Sequence, residues 1–260
     1  LKLLKEKDMP EKSLAKMVAI VGLVSMVLPC AAYADYLTGF ESSDGFVAGQ
    51  TVDGVGGWTV KEQSTYCIAS DSLPYSGLQS LQVGTTEKKV CSVWHEITPA
   101  TSATGSMRFE ARVAVGADAA PLEGLLYLGS GANISTQNAA VQVWFDRNGG
   151  NLLYKDGSTT KTIGAYTAGQ YYHVVADIDL QSDKFDLTVV GQGVNFSSQG
   201  VAFRKSTDVI DWVCVNSYTS STVNNGYLFV DDLSVVPEPG TIAVLAAGAA
   251  VLGRRRVGAR

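Results

Sequence analysis

Charge is scarce in this 260-residue chain, where only 17% of residues are Asp, Glu, Lys or Arg. Proline (7), cysteine (4) and histidine (2) are scarcer still. So little charge excludes a coiled coil, and 27 glycines with few prolines exclude a collagen-like repeat. A hydrophobic share of 46% excludes a low-complexity disordered chain. Basic residues are in deficit, 20 against 25 acidic, so the basic stripe of a nucleic-acid binder is missing and nucleic acid is not an expected partner. No Gly-x-Ser-x-Gly elbow and no Cys-x-x-Cys pair occurs. Gly54, Gly56 and Gly57 lack the Lys-Ser/Thr and the following helix of a phosphate loop. With His95 and His173 as the two histidines, no zinc-ligand spacing exists.

What is present is most informative at the two ends. Lys12 and Lys16 precede an apolar run of 12 residues, Met17–Leu28, and Ala32-Tyr33-Ala34 has the small-x-small form of a signal-peptidase site. Residues 1–34 therefore read as a secretory signal, cleaved between Ala34 and Asp35, with Met9 as an alternative start. Twelve residues fall short of the roughly 20 needed to span a bilayer. Cys30 follows Pro29, where a lipoprotein signal needs a small residue. At the other end, residues 236–260 hold Val236-Pro237-Glu238-Pro239, an apolar segment Ile242–Leu252 and the cluster Arg254, Arg255 and Arg256. An apolar segment closed by arginines is a stop-transfer arrangement, with the arginines on the cytoplasmic side. Its 13 residues, Thr241–Gly253, rise roughly 20 Å as a helix, which suits a transient inner-membrane anchor.

Pro-Glu-Pro, a short apolar helix and a terminal Arg cluster, in that order, resemble the PEP-CTERM sorting signal of Gram-negative bacteria. The resemblance implies recognition by exosortase, a membrane transpeptidase-like enzyme, and removal of the helix near the motif. Proteins with this tail are exported in bacteria that make exopolysaccharide. A sorting tail is an address, so it leaves the activity of the preceding domain open.

Between the ends, residues 35–235 read as one β-sandwich domain. Residues 35–236 hold 11 basic and 21 acidic side chains, a net charge of −10. Met107, Phe109, Ala111, Val113 and Val115 alternate with Arg108, Glu110 and Arg112. Tyr172, Val174, Ala176, Ile178 and Leu180 alternate with His173, Val175, Asp177 and Asp179. Phe185, Leu187 and Val189, and then Val141, Val143 and Phe145, repeat the pattern. Period two over such lengths is the signal of half-buried antiparallel strands. Asn148-Gly149-Gly150, Asp156-Gly157 and Gln192-Gly193 supply turns. About a dozen short strands predict two packed antiparallel sheets. Cys67 and Cys91, 24 residues apart on two of these strands, form the expected disulfide in an oxidising compartment, with Cys214 left over.

The order of motifs resembles the concanavalin A-like, laminin G-like jelly roll. Gly39–Glu41 comes first, then a strand at Trp58, QSLQV at Gln79–Val83, the hairpin Tyr172–Leu180 with Lys184–Gly191, and YLFVDDLSVV at Tyr227–Val236. In such folds the first and last strands pair, which implies that Gly39–Glu41 lies beside Tyr227–Val236. Rim calcium is common in the resembled family, and Glu41, Asp231 and Asp232 are its candidate ligands.

Chemistry is thin. Asp177 and Asp179 share a strand face about 6.5–7 Å apart, a spacing compatible with glycosidase carboxyls. The Glu-x-Asp-x-x-Glu strand of laminarinase-type relatives is absent. Trp144 and Tyr171 stand out of phase with their apolar neighbours and are the candidates for stacking on a sugar. The sequence thus predicts an exported, non-catalytic, polysaccharide-associated binding or structural protein, not an enzyme. The alternatives are a glycan-active hydrolase of the same fold, and an adhesin or ice-binding surface. Thr159-Thr160 and Ser220-Ser221-Thr222 are too short to form the flat threonine face that ice binding needs.

Overall fold

The computed structural model describes residues 36–237, apart from 102–104, 118–119, 221–223 and 225. The expected signal peptide and its expected cleavage site at Ala32, Ala34 and Asp35 lie outside the described residues, as do Glu238, Pro239 and Arg254–Arg256 of the sorting tail. The described residues contain fifteen strands: β1 (Tyr36–Thr38), β2 (Trp58–Glu62), β3 (Cys67–Ser70), β4 (Ser80–Gly84), β5 (Cys91–Thr101), β6 (Ser106–Val115), β7 (Glu123–Gly129), β8 (Ala139–Asp146), β9 (Asn151–Asp156), β10 (Thr159–Ala165), β11 (Tyr172–Asp179), β12 (Lys184–Gly191), β13 (Val194–Ala202), β14 (Val209–Tyr218) and β15 (Tyr227–Pro237).

They form two wholly antiparallel sheets. The first runs β13-β12-β11-β6-β15-β4-β3, with β1 added against β15. The second runs β10-β9-β8-β7-β14-β5-β2. Together they make the jelly-roll sandwich expected from the strand pattern. The alternation explains why the sheets stack. Met107, Phe109, Ala111, Val113 and Val115 of β6 are all buried, as are Tyr172, Val174, Ala176 and Ile178 of β11. Both sets belong to one apolar cluster with Val141, Val143 and Phe145 of the other sheet. Burying such a face is worth about 25 cal/mol per Å2, and only a second apolar face can cover it.

A smaller apolar cluster lies outside this interior. Leu125, Tyr127, Trp144, Trp212 and Cys214 have the opposite phase to the core residues of their strands, so they face outward from the second sheet. The connection between β7 and β8 covers part of them, with Ile134 packed into the cluster. Gly129 permits this close approach. A Cβ there would stand 2.5 Å from the Asn138 carbonyl oxygen and 2.5 Å from the Trp212 ring.

Candidate functional site

The sorting segment begins inside the sheet. Val236 pairs with Arg108 and Pro237 with Met107 on β6. On the other side β1 closes the edge, with Tyr36 opposite Val235, Leu37 opposite Ser234 and Thr38 opposite Leu233. First and last strands do pair, as the jelly-roll resemblance implied, although the pairing residues are 36–38 and not 39–41. Tyr36 anchors this clasp. Its hydroxyl oxygen accepts a 2.6 Å hydrogen bond from Trp58 Nε1. Its ring lies 3.9 Å from that of His95, centroid to centroid. Burial pushes the Tyr36 hydroxyl pKa up to about 12, so it is neutral and able to hold that bond.

The three carboxylates expected to hold calcium do converge, but on a loop. Asp231 is fully buried at a bulge in β15. Its Oδ2 accepts from the Tyr75 and Ser76 backbone N–H at 2.8 and 3.0 Å. Its Oδ1 accepts from the Asp232 N–H at 2.8 Å. Asp232 Oδ1 accepts from the Ser76 hydroxyl at 2.6 Å, and Glu41 Oε1 takes the Leu78 and Gln79 N–H at 2.9 and 3.1 Å. Calcium needs six to eight oxygens left free to turn toward it. Here four of the six carboxylate oxygens already accept backbone or hydroxyl donors, and among the described residues no three His, Cys, Asp or Glu group around a metal position. Glu41, Asp231 and Asp232 therefore fit a strap for residues 75–79 and do not fit a cation site. Burial raises the Asp231 carboxyl above its usual range, against the pull of the three N–H donors.

The disulfide expected between Cys67 and Cys91 is not formed. Both are free thiols, as is Cys214, and all three are buried. Cys67 lies on β3 of the first sheet and Cys91 on β5 of the second, both within the core between the sheets. β4 separates the two strands in sequence, and they join opposite sheets with both thiols turned into the shared core, where they stay unbonded. Cys214 instead points outward into the smaller cluster. Burial pushes the thiol of Cys91 up to about 12 and raises that of Cys67 further, so both stay protonated and unreactive.

Asp177 and Asp179 do share the outer face of β11. Asp177 Oδ1 is paired with Arg108 Nη1 at 2.8 Å. Arg108 also pairs with Glu110, whose second oxygen lies 3.1 Å from His173 Nε2. Asp179 accepts from the Ser182 hydroxyl and the Gln181 N–H, which hold its carboxyl below the usual range. A glycosidase acid must keep its proton near neutrality. Asp179 is stabilised in the charged form, so it does not supply the acid half of the chemistry. Besides Asp231, Glu123 on β7 is pushed up, first by burial and then by Asp146, its cross-strand neighbour on β8.

The two aromatic candidates fall on different sheets. Trp144 does face outward, as its phase predicts, but it is only 7% exposed and Lys155 Nζ sits 5.7 Å from its ring centroid. Tyr171 packs edge-on against Tyr75, and its hydroxyl donates to the Leu73 carbonyl. It buttresses the loop and is half-buried. The more accessible aromatic surface is one that periodicity left among the core candidates. Trp94 on β5 and Trp212 on β14 flank a hollow of about 380 Å3 on the outer face of the second sheet, also lined by Glu96 and Asp211. Trp94 is half-buried and Glu96 exposed. Trp212 Nε1 donates to the Gly131 carbonyl at 3.1 Å, and Asp211 accepts the Gly131 N–H at 3.2 Å. These bonds fix one wall of the hollow. The outward phase of Trp94 relative to Val93 and Ile97 was the signal that could have found it.

A scan against family descriptions matches the PEP-CTERM protein-sorting motif to residues 235–257. No curated protein matches the chain. Among solved structures, lectin II from Ulex europaeus superposes with a TM-score of 0.50 and 13% identity over 72% of this chain and 95% of the lectin. Lectin UEA-II, solved with galactose, gives 0.49 and 14% over 73% of this chain and 96% of that one. A sialidase gives 0.49 and 12% over 74% of this chain, and this chain spans only 18% of the sialidase. Identities this low establish a shared fold and no more. The chain is therefore a jelly-roll sandwich whose last strand runs into a PEP-CTERM protein-sorting motif, the address of an exported protein.

Proposed function

We propose that this is a polysaccharide-associated binding or structural protein of the cell surface or extracellular matrix, with residues 35–235 as its working domain. On this reading signal peptidase frees Asp35, the apolar tail holds the chain briefly in the inner membrane, and exosortase processes it at Val236–Pro239. The saccharide is taken in the Trp94–Trp212 hollow. The observation that supports this is the combination of a half-open indole with a carboxylate, Glu96, that has no hydrogen-bond or ion-pair partner among the described residues. An aromatic face stacks on the C–H face of a sugar ring, and a free carboxylate accepts its hydroxyls. A hollow of about 380 Å3 also falls in the usual size range of ligand sites, about 300–1,000 Å3. The test is a glycan array probed with the full chain in mild detergent. Wild-type protein binds a defined class of polysaccharide, and Trp94→Ala reduces that binding at least tenfold. Absence of binding to any glycan on the array would sink the reading.

One observation favours a hydrolytic reading instead: the carboxyl of Glu123, raised by burial and by its cross-strand neighbour Asp146. Neither residue lines the Trp94 hollow. Release of reducing ends from the bound polysaccharide, abolished by Glu123→Gln, would establish hydrolysis. Equal release by wild type and variant would dismiss it.

A further inference from the structure

The first sheet carries a second hollow of about 540 Å3, on its own outer face. Its floor is Gln82 of β4 and Tyr227 and Phe229 of β15, and its wall is Asp71 and Leu73 of the loop after β3. Phase places the floor outside the sandwich, because Leu81, Val83, Leu228 and Val230 are the core residues of the same strands. The Tyr227 and Phe229 rings lie 6.3 Å apart, inclined at 47°. Phe229 is 4% exposed and forms the base, while Tyr227 is half-buried. Gln82 is held by the Ser70 hydroxyl, which donates to its Oε1 at 2.9 Å, so its amide N–H groups remain to donate. Asp71 is exposed, and its carboxylate has no partner among the described residues. The wall is built as well, since both the Tyr171 and the Ser80 hydroxyls donate to the Leu73 carbonyl. Ring, free carboxylate and fixed wall repeat the composition of the Trp94 hollow, on the opposite face of the molecule.

We infer that the sandwich holds two saccharide-binding hollows facing away from each other, and that one molecule therefore bridges two polysaccharide strands. The inference rests on the proposed saccharide reading of the Trp94 hollow and extends it from binding to cross-linking. Two sheets packed about 10 Å apart separate the hollows by the thickness of the core, so a single strand cannot fill both without wrapping an edge. A polymer offering many repeats would be joined to its neighbour by any chain with two sites, with avidity set by their spacing.

The experiment uses the full chain held one copy per lipid nanodisc. Its probes are dextran, laminarin, galactomannan and alginate, each coated on latex beads and also supplied as a short oligosaccharide. The expected result is agglutination of at least one bead type, with two of the matching oligosaccharides titrated per chain by calorimetry. Trp94→Ala and Tyr227→Ala should each still bind one oligosaccharide and lose agglutination. Asp71→Asn and Glu96→Gln, which keep the packing, should weaken one site each and leave the other unchanged. A wild-type stoichiometry of one, or a Tyr227→Ala variant that still agglutinates, overturns the two-site inference and leaves the single-hollow reading standing. Failure to bind any of the four polymers overturns both.

Discussion

Gly77 shows how much a single residue carries in the loop over the first sheet. Its φ is +60°, and a Cβ there would stand 2.1 Å from Glu41 Oε1, the oxygen that holds the Leu78 and Gln79 N–H groups. An L-residue in this conformation costs about 1–2 kcal/mol, and Glu41 must also give up its two bonds. Gly77→Ala is therefore expected to lower stability by about 2 kcal/mol or more in urea unfolding. It should also release residues 75–79 to hydrogen exchange while β4 stays protected. A variant as stable as wild type would show that the strap adds little. The same scale explains one disagreement with sequence expectation. Glu41, Asp231 and Asp232 were grouped correctly, but acidic residues brought together by strand pairing can bind a metal or bind the backbone. Only the positions of the Tyr75, Ser76, Leu78 and Gln79 amides distinguish the two.

At the scale of elements, β1 is three residues long, and a strand so short is normally a minor edge. Here it covers the part of β15 that leads into the sorting motif. Without β1, the backbone of residues 233–235 would lose its partner on one side, while Ser234 and Val235 keep β6 on the other. Deleting residues 36–38 is expected to speed amide exchange in residues 233–235, and to leave residues 228–230, held by both β4 and β6, unchanged. Tyr36→Phe keeps the strand but strands the Trp58 indole N–H, at a cost of about 1–3 kcal/mol. If exchange at 233–235 is the same with and without β1, the clasp is not what holds the sorting stem to the sheet. The strands themselves were legible from period two, as β6, β11 and β12 show. Which sheet a strand joins was not legible, because it depends on long-range partners that no local pattern in β3 or β5 records.

For the whole molecule, the acid side of the stability curve tests the charge network across the first sheet. Hydrogen bonding to Arg108 holds the Glu110 carboxyl below its ordinary value of 4.5, with His173 and Asp177 completing the row. A carboxyl depressed in the folded state contributes stability that is complete above about pH 4.5 and is lost as pH falls through the lower, folded value. Burial raises Glu123 and Asp231 in the folded state, so these two act in the opposite sense and gain by protonation as pH falls through their raised values. Glu110→Gln should therefore lower stability by a near-constant amount above about pH 4.5, on the order of 1 kcal/mol for a half-exposed pair. Below that pH the difference should shrink. A gap between variant and wild type that stays constant down to pH 2 would assign the effect to packing.

Export, the sorting tail, the all-β class and the inward residues of the long strands were determined by the sequence alone. Each is a local property, carried by an apolar run, a short motif or a period of two in neighbouring residues. The aromatic surface was only half determined: phase told which way Trp144 points, but not that Lys155 and its own cluster leave it 7% exposed. Tertiary structure alone decided the rest. It set Trp94 beside Trp212, split the two cysteines between sheets, turned three carboxylates onto a loop and placed two hollows on opposite faces. These features depend on which strands become neighbours across the sandwich, and that choice is made by burying whole apolar faces at once, a sum that no single stretch of the chain contains.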